Sequence, residues 1–145
     1  MAEINILVAV DVEGALSDPD PNQGLANHVW MIDTGSYLGT KEAGNELVTL
    51  AKLGDQVTWT VTPIDPGTNV SFAPGQPFTT QQTNPPTIPT VINPKQNPVI
   101  PSQFMGIFSP SGGTAAGTTY QYSIALTLDG KQLSFDPFLE LATAT

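Results

Sequence analysis

Three stretches of the chain alternate apolar and polar side chains with a period of two, which is the pattern of a strand with one buried face. They cover residues 4–11, 57–62 and 120–129. After the third stretch comes Asp129-Gly130, and the alternation resumes over residues 133–135. An Asp-Gly pair between alternating segments predicts a two-residue hairpin, because a type I′ turn needs positive φ at both central positions.

Shorter segments complete the expected architecture. Residues 28–33, 69–72 and 104–108 are predicted to be short strands. Residues 41–53 have apolar positions at helical spacing and are predicted to be a helix, although residues 46–51 fit an extended strand nearly as well. The pattern as a whole predicts an all-β protein, an antiparallel β-sandwich of jelly-roll or Ig-like type.

Proline divides the chain unevenly, since eleven of the fourteen prolines lie between Pro63 and Pro110. Proline cannot donate to a sheet ladder, so residues 74–101 are predicted to be a long proline-rich loop. Apolar β-branched residues lie between these prolines, at Val91, Ile92, Val99 and Ile100. They support a second interpretation, an extended arm that packs across a surface of this chain or of a partner.

The charge balance excludes several classes of function. Four lysines and no arginine face thirteen acids, which gives a net charge of −9. Binding to nucleic acid or to an anionic membrane needs a basic surface, so neither is expected. With no cysteine and one histidine, thiolate zinc sites and histidine-rich sites are excluded within one chain. The N-terminal segment lacks signal-peptide features, which predicts a cytoplasmic single domain spanning residues 1–145.

Acidic residues concentrate early in the chain, where ten of the thirteen precede residue 66. Asp18, Asp20 and Asn22 place three oxygen side chains at alternate positions, the spacing with which an EF-hand loop begins. The turn glycine and the final glutamate of that loop do not follow. Two interpretations stay open: a calcium site made by these three residues, and a solvated turn. No other cofactor is expected.

Asp11 and Glu13 are the candidates for a carboxylate-based hydrolase. In an extended strand their side chains would share a face about 6–7 Å apart, between the separations of retaining and inverting glycosidases. Ordinary surface carboxylates explain the pair as well. No G-x-S-x-G nucleophile elbow occurs, and His28 is interpreted as a hydrogen-bonded packing residue. We therefore expect no enzyme and assign no catalytic residue.

Exposed aromatic side chains are the candidates for ligand binding, since aromatic rings are common at binding surfaces and can stack on sugars. Tyr37 lies in a turn-rich segment, and Trp30 lies on a predicted strand. Trp59, in the middle of an alternating strand, is expected in the core. With the acidic region of residues 11–33, Tyr37 and Trp30 define an alternative function, a lectin-like carbohydrate-binding module that works with or without calcium.

An ordered set of segments resembles the AidA/PixA inclusion-body protein family. The earlier segments are INILVAVDVEGA (residues 4–15), HVWMIDT (28–34), YLG (37–39), NELVT (45–49), VTW (57–59) and PIDP (63–66). The later segments are YQY (120–122) and SFDP (134–137). The resemblance spans most of the chain except residues 74–101.

The resemblance implies a small bacterial cytoplasmic protein without established enzymatic activity, expressed under quorum-sensing or growth-phase control. It also implies host association and, in some members, crystalline inclusion bodies. Together with the few charges and long uncharged strands, it predicts a non-enzymatic protein that acts by self-association, as a homodimer or higher assembly, or by host-associated binding. Residues 74–101 are the segment expected to contact a second chain.

Overall fold

A computed structural model of the protein describes residues 2–20, 25–34, 47–81 and 86–145. These ranges contain one short helix and eleven strands. The elements are β1 (Glu3–Val10), α1 (Val12–Ser17), β2 (Val29–Asp33), β3 (Val48–Ala51), β4 (Gln56–Pro63), β5 (Val70–Phe72), β6 (Phe78–Thr80), β7 (Lys95–Gln96), β8 (Gln103–Ile107), β9 (Thr119–Leu128), β10 (Lys131–Phe135) and β11 (Phe138–Leu141).

The strands form two sheets, which confirms the prediction of an all-β sandwich. The five-stranded sheet has the order β2-β1-β4-β8-β7, and the six-stranded sheet is built around β9. Most neighbours are antiparallel, as predicted, but β1 pairs with β4 in parallel and β11 pairs with β3 in parallel. The chain passes through β2 and β3 before it returns as β4, and parallel neighbours need a long connection of this kind.

The ten-residue β9 organises the six-stranded sheet, pairing with β10 and β11 as well as with β5 and β6. The connection from β9 to β10 is the predicted hairpin, in which Leu128 pairs with Lys131. Asp129 has φ 46° and Gly130 has φ 90°, so both central residues adopt the positive φ that a type I′ turn requires.

The core lies between the two sheets and joins them through aromatic side chains. The indole Nε1 of Trp59 on β4 donates a hydrogen bond of 3.0 Å to the hydroxyl of Tyr122 on β9. The ring of Phe78 lies 4.7 Å from that of Trp59 and 5.3 Å from that of Phe104, measured between centroids. Burial raises the pKa of the Tyr122 phenol, so this hydroxyl stays protonated between the sheets.

The predicted helix over residues 41–53 is wrong where the structure describes it. Val48–Ala51 forms β3, in agreement with the extended alternative, and residues 41–46 lie outside the described ranges. β3 lies beside β11, whose backbone supplies the hydrogen bonds that a helix would have made internally. Thr49 and Ala51 then face the core as alternate residues, as expected of a strand.

The helix that does form, α1, has a local cause. Asp11 precedes it in an extended conformation, and its Oδ1 accepts a hydrogen bond of 3.0 Å from the backbone N–H of Gly14. This is an N-cap, which satisfies one of the free donors of the first turn. Val12 and Ala15 are buried and fix the short helix to the core.

The proline-rich segment 74–101 is less irregular than predicted. It contains β6 and β7, and its Ile88, Val91 and Ile92 are buried in the core of this same chain. Val99 and Ile100, in contrast, are exposed at a turn, where Oδ1 of Asn97 accepts hydrogen bonds from their two backbone N–H groups. Contact between this segment and a second chain stays a prediction.

Within the described ranges, no helix combines the length and the apolar character needed to cross a membrane.

Candidate functional site

One face of the five-stranded sheet points away from the core, and we call it the outer face. Alternation along the strands assigns to it every second residue of β1, β2, β4 and β8. Cross-strand pairing then sets the neighbours: Leu7 lies beside Ile32 and Thr60, and Ala9 lies beside Trp30 and Thr62. The outer face is thus a continuous surface across four strands.

This surface is apolar to an unusual degree for a side of a sheet that no described strand or helix covers. Large hydrophobic side chains on it are between 36% and 46% exposed, namely Leu7, Trp30, Ile32, Met105 and Ile107. Between them runs a row of threonines from β4: Thr58, Thr60 and Thr62. Antiparallel sheets with one solvated face ordinarily place polar residues there, so these side chains depart from the common pattern.

Trp30 is the sequence-predicted ligand-binding residue that the structure places. It lies on the outer face at the β2 margin of the sheet, opposite Ala9, whose small side chain leaves its ring partly accessible. Tyr37, the other predicted residue, lies outside the described ranges. The structure therefore neither joins the two aromatic side chains nor separates them, and their role in binding a ligand stays a prediction.

A second cluster of polar groups lies where α1 meets the start of β2. His28 bridges two carboxylates: its Nδ1 lies 3.4 Å from Oδ2 of Asp11, and its Nε2 lies 3.2 Å from Oδ2 of Asp18. A Cβ atom at Gly14 would collide with the Asp11 carboxylate and lie 2.6 Å from Nδ1 of His28. Glycine at this position is thus what allows the three side chains to approach one another.

The protonation of these carboxylates follows from their hydrogen bonds. The backbone N–H of Gly14 holds the pKa of Asp11 below its ordinary value, and Asp65 and His28 add to this effect. The backbone N–H of Asp20 likewise lowers the pKa of Asp18. Desolvation raises the pKa of Asp65, and the nearby Asp11 adds to the rise. Asp11 therefore ionises before Asp65, and His28 faces carboxylates that are charged at neutral pH.

The calcium prediction rested on Asp18, Asp20 and Asn22. Both carboxylate oxygens of Asp18 have protein partners, Oδ1 the backbone N–H of Asp20 at 2.9 Å and Oδ2 the ring of His28. Asn22 lies outside the described ranges. In the part of the chain that the structure describes, no group of three His, Asp or Glu residues is arranged to hold a metal ion. A calcium site made by the three predicted residues stays a prediction.

The geometry assumed for a hydrolase is wrong. Asp11 and Glu13 were expected on one face of an extended strand, but β1 ends at Val10 and Glu13 belongs to the first turn of α1. Asp11 turns back to cap that helix instead of standing beside Glu13. His28, interpreted from the sequence as a hydrogen-bonded packing residue, does make such bonds, although it lies just before β2 and not on it.

Sequence reasoning missed two features of this region. Asp11 directly precedes the apolar Val12, with the acidic Glu13 next to it, and this order is a start signal for a helix such as α1. The outer face was missed because Leu7 and Ala9 were assigned only to the second face of β1. Had the exposed side of β1 been compared with that of residues 28–33, the shared apolar character of Leu7, Trp30 and Ile32 would have emerged.

Comparisons with known proteins bear on the fold. No curated protein matches the sequence. Among solved structures, the chain is similar to the inclusion body protein PixA from Burkholderia cenocepacia J2315, with a TM-score of 0.51 and 14% sequence identity. The match covers 99% of this chain and 95% of that chain. It confirms, at the level of the fold, the resemblance that the sequence segments indicated.

A family model described as a domain of unknown function, DUF8788, matches residues 2–134. The matched residues include every strand from β1 to β9, nearly all of β10, and the outer face. The chain therefore belongs to the DUF8788 family.

Proposed function

We propose that this protein is a non-enzymatic β-sandwich of the inclusion-body type that acts by associating with copies of itself through the outer face. One observation carries the proposal. Of the nine exposed large hydrophobic residues in the described ranges, five lie on the outer face. Contiguous exposed apolar patches on soluble proteins commonly mark interaction surfaces, because their burial releases ordered water and is favourable.

The charge distribution supports a second copy of the chain as the partner. Two copies that each carry a net charge of −9 repel one another, so a contact between them must avoid the acids. Among the described residues that face outward from this sheet, the charged ones are Glu3 and Lys95, each near a margin. Thr60 and Thr62, which are half-buried in the single chain, can exchange hydrogen bonds across a two-fold axis, which would close a homodimer.

The similar solved protein supports the inclusion-body part of this proposal, since it is an inclusion body protein from a bacterium. A cytoplasmic location, host association, the link to AidA and expression under quorum sensing are implied by the sequence resemblance and stay predictions. Association through the outer face is the part that can be tested directly on the purified chain.

Sedimentation velocity over a range of micromolar concentrations tests the proposal. The wild-type chain is expected to sediment as a dimer or larger species. The variant Leu7→Lys puts an ammonium group in the middle of the outer face, where association would bury it without a partner. We expect its dissociation constant to rise at least about tenfold, equivalent to about 1.4 kcal/mol.

Two further variants make the result specific. Leu53→Lys adds the same charge at an exposed residue between β3 and β4, away from the outer face, and should leave association unchanged. Val99→Lys tests the earlier expectation that residues 74–101 form the contact. A wild-type chain that stays monomeric at every concentration contradicts the proposal, and so does a loss of association with Val99→Lys but not with Leu7→Lys.

The exposed position of Trp30 supports one alternative, a lectin-like carbohydrate-binding module. An accessible indole on a flat uncharged surface can stack on a sugar ring. Trp30→Ala should then abolish binding on a glycan array, while a monomeric Leu7→Lys variant keeps it. A melting temperature that rises in millimolar calcium would add the predicted metal dependence, because a ligand that binds only the folded state stabilises that state.

A further inference from the structure

A groove lies at one edge of the sandwich, at the β7 margin of the outer face, and includes no residue of the His28 cluster. It has a volume of about 570 Å³ and is lined by Gln76, Phe78, Thr79, Thr80, Ile88, Pro89, Asn93 and Lys95. Its two sides come from different sheets, because β6 pairs with β9 in one sheet and β7 pairs with β8 in the other. The volume lies within the range of small-molecule sites in proteins.

The floor of the groove is apolar and rigid. Phe78 and Ile88 are buried, and Pro89 follows Ile88 at the surface. The ring of Phe78 packs among those of Trp59, Phe72 and Phe104, so its position is fixed by the core. Pro89 supplies most of the accessible apolar surface, and the fixed side chains of Phe78 and Ile88 beneath it lose little entropy when a ligand binds.

The rim carries hydrogen-bond donors and a single charge. Gln76 and Asn93 contribute amides, Thr79 a hydroxyl, and Lys95 an exposed ammonium group. Within the described ranges, no carboxylate lies within ion-pair distance of Lys95, since the ion pairs found there belong to His28. The ammonium group is therefore available to an anion from solution.

The sequence around the groove strengthens this reading of the charge. Between Asp65 and Asp129 the chain has no acidic residue at all, and Lys95 is the only charged residue in that interval. All eight lining residues fall inside the interval. None of the eight lining residues is therefore acidic, and Lys95 is the charged residue among them.

We propose that this groove binds a small organic carboxylate with an apolar body. The carboxylate contacts the ammonium group of Lys95 and the amide of Asn93 or Gln76, and the apolar body lies on Phe78, Ile88 and Pro89. Charge-assisted hydrogen bonds at the rim select the anion, and the floor selects the hydrocarbon. The groove shares Lys95 with the margin of the outer face, and its other lining residues are not part of that face.

Titration of the ¹⁵N-labelled chain with hexanoate, followed by amide chemical shifts, tests this inference. Hexanoate should produce saturable shifts at Thr79, Asn93 and Lys95. Hexanamide, which has the same apolar body without the charge, should bind at least about tenfold more weakly, since a hydrogen bond to a charged group contributes about 1.5–3 kcal/mol.

Variants of Lys95, with a matched control at Lys131, supply the decisive comparison. Lys95→Gln should weaken hexanoate binding at least about tenfold, whereas Lys131→Gln, on β10 outside the groove, should leave it unchanged. Lys95→Glu should lose hexanoate and bind hexylammonium in its place, a reversal that a purely structural role of Lys95 would not produce. The proposal is overturned by absent or non-saturable shifts, by equal binding of hexanamide, or by equal effects of the Lys95→Gln and Lys131→Gln variants.

Discussion

The two faces of the five-stranded sheet are both rich in apolar residues, but they meet different surroundings. The inner face packs against the six-stranded sheet, and Val8, Val57 and Trp59 on it are fully buried. The outer face carries Leu7, Trp30 and Ile32 on neighbouring strands, yet no described element packs over them. The inner face is apolar because it packs against the other sheet. No packing within the described residues explains why the outer face is apolar as well.

This difference separates stability from function in one sheet. Apolar residues on the inner face stabilise the folded chain by leaving water, so substitutions there should change the free energy of unfolding. Those on the outer face are partly exposed to water in the single chain. Substitutions there should therefore change the dissociation constant of the assembly and leave the free energy of unfolding nearly unaffected. Neighbouring residues on the same strand, which alternate between the faces, provide matched pairs for testing this separation.

The largest effect is expected from Trp59→Ala. The substitution empties a fully buried site between the sheets and leaves the hydroxyl of Tyr122 without its indole donor. Truncation of a buried tryptophan costs about 3–5 kcal/mol of the free energy of unfolding. Urea denaturation followed by far-ultraviolet circular dichroism measures this loss, at concentrations low enough to avoid association.

Thr60→Ala is the matched control, since Thr60 is the next residue of β4 and faces outward. It should lower the free energy of unfolding by less than about 1 kcal/mol, the span of strand propensities. If the two variants lost similar stability, the outer face would be part of the folding core and the comparison between the faces would fail.

A smaller loss is expected from Gly106→Ala on the inner side of β8. A Cβ atom at this position would lie 2.7 Å from Cγ1 of Ile92. Because Cγ1 belongs to a β-branched side chain and lies close to the backbone, it cannot move away by a simple rotamer change. Overpacking of this kind costs about 1–3 kcal/mol. Chemical denaturation of the single variants and of the pair with Ile92→Ala measures the coupling, because Gly106→Ala should be nearly neutral once Ile92 is truncated.

Gly112→Ala serves as the control for backbone effects, because nothing lies within 4 Å of its added Cβ atom and its φ is not positive. A loss at Gly112 as large as that at Gly106 would assign the effect to the backbone. That result would show that close packing between Ile92 and Gly106 does not hold the proline-rich segment against the five-stranded sheet.

Much of the fold could be predicted from periodicity, and the parts that could not have identifiable reasons. The alternating segments gave β1, β4 and β9, and Asp129-Gly130 gave the hairpin. The parallel pairing of β1 with β4 could not be predicted, since a period of two shows that a strand has two faces but not which strand lies beside it. β3 was ambiguous because its apolar residues fit both a helix and a strand in the sequence. The pairing with β11, which decides for the strand, is visible only in the structure.

Less of the candidate site could be predicted. The sequence places Asp18, Asp20 and Asn22 at the spacing of candidate oxygen ligands, but the contact between Asp18 and His28 depends on how α1 turns the chain. The outer face depends on the register between β1 and β2, which sets Leu7 beside Ile32. Trp30 was singled out only as an aromatic side chain that can stack on a ligand, and its place at the β2 edge of the sheet emerges from the structure.

The smallest effect concerns a polar side chain on the buried side of the other sheet. Thr49 on β3 is 1% exposed, and its Oγ1 has no hydrogen-bond partner among the described residues. A buried hydroxyl without a partner loses its bonds to water and gains none in exchange, so Thr49→Val should stabilise the fold by about 1 kcal/mol. Thermal denaturation should show a melting temperature a few degrees higher, since 1 kcal/mol corresponds to about 4 °C in a chain of this size. A lower melting temperature would mean that Oγ1 does have a partner. The core between the sheets would then hold a satisfied polar group and would differ less from the threonine-lined outer face. Leu50→Ala, at the half-buried position next to it, should by contrast destabilise the chain, which distinguishes removal of the hydroxyl from a general tolerance of change in β3.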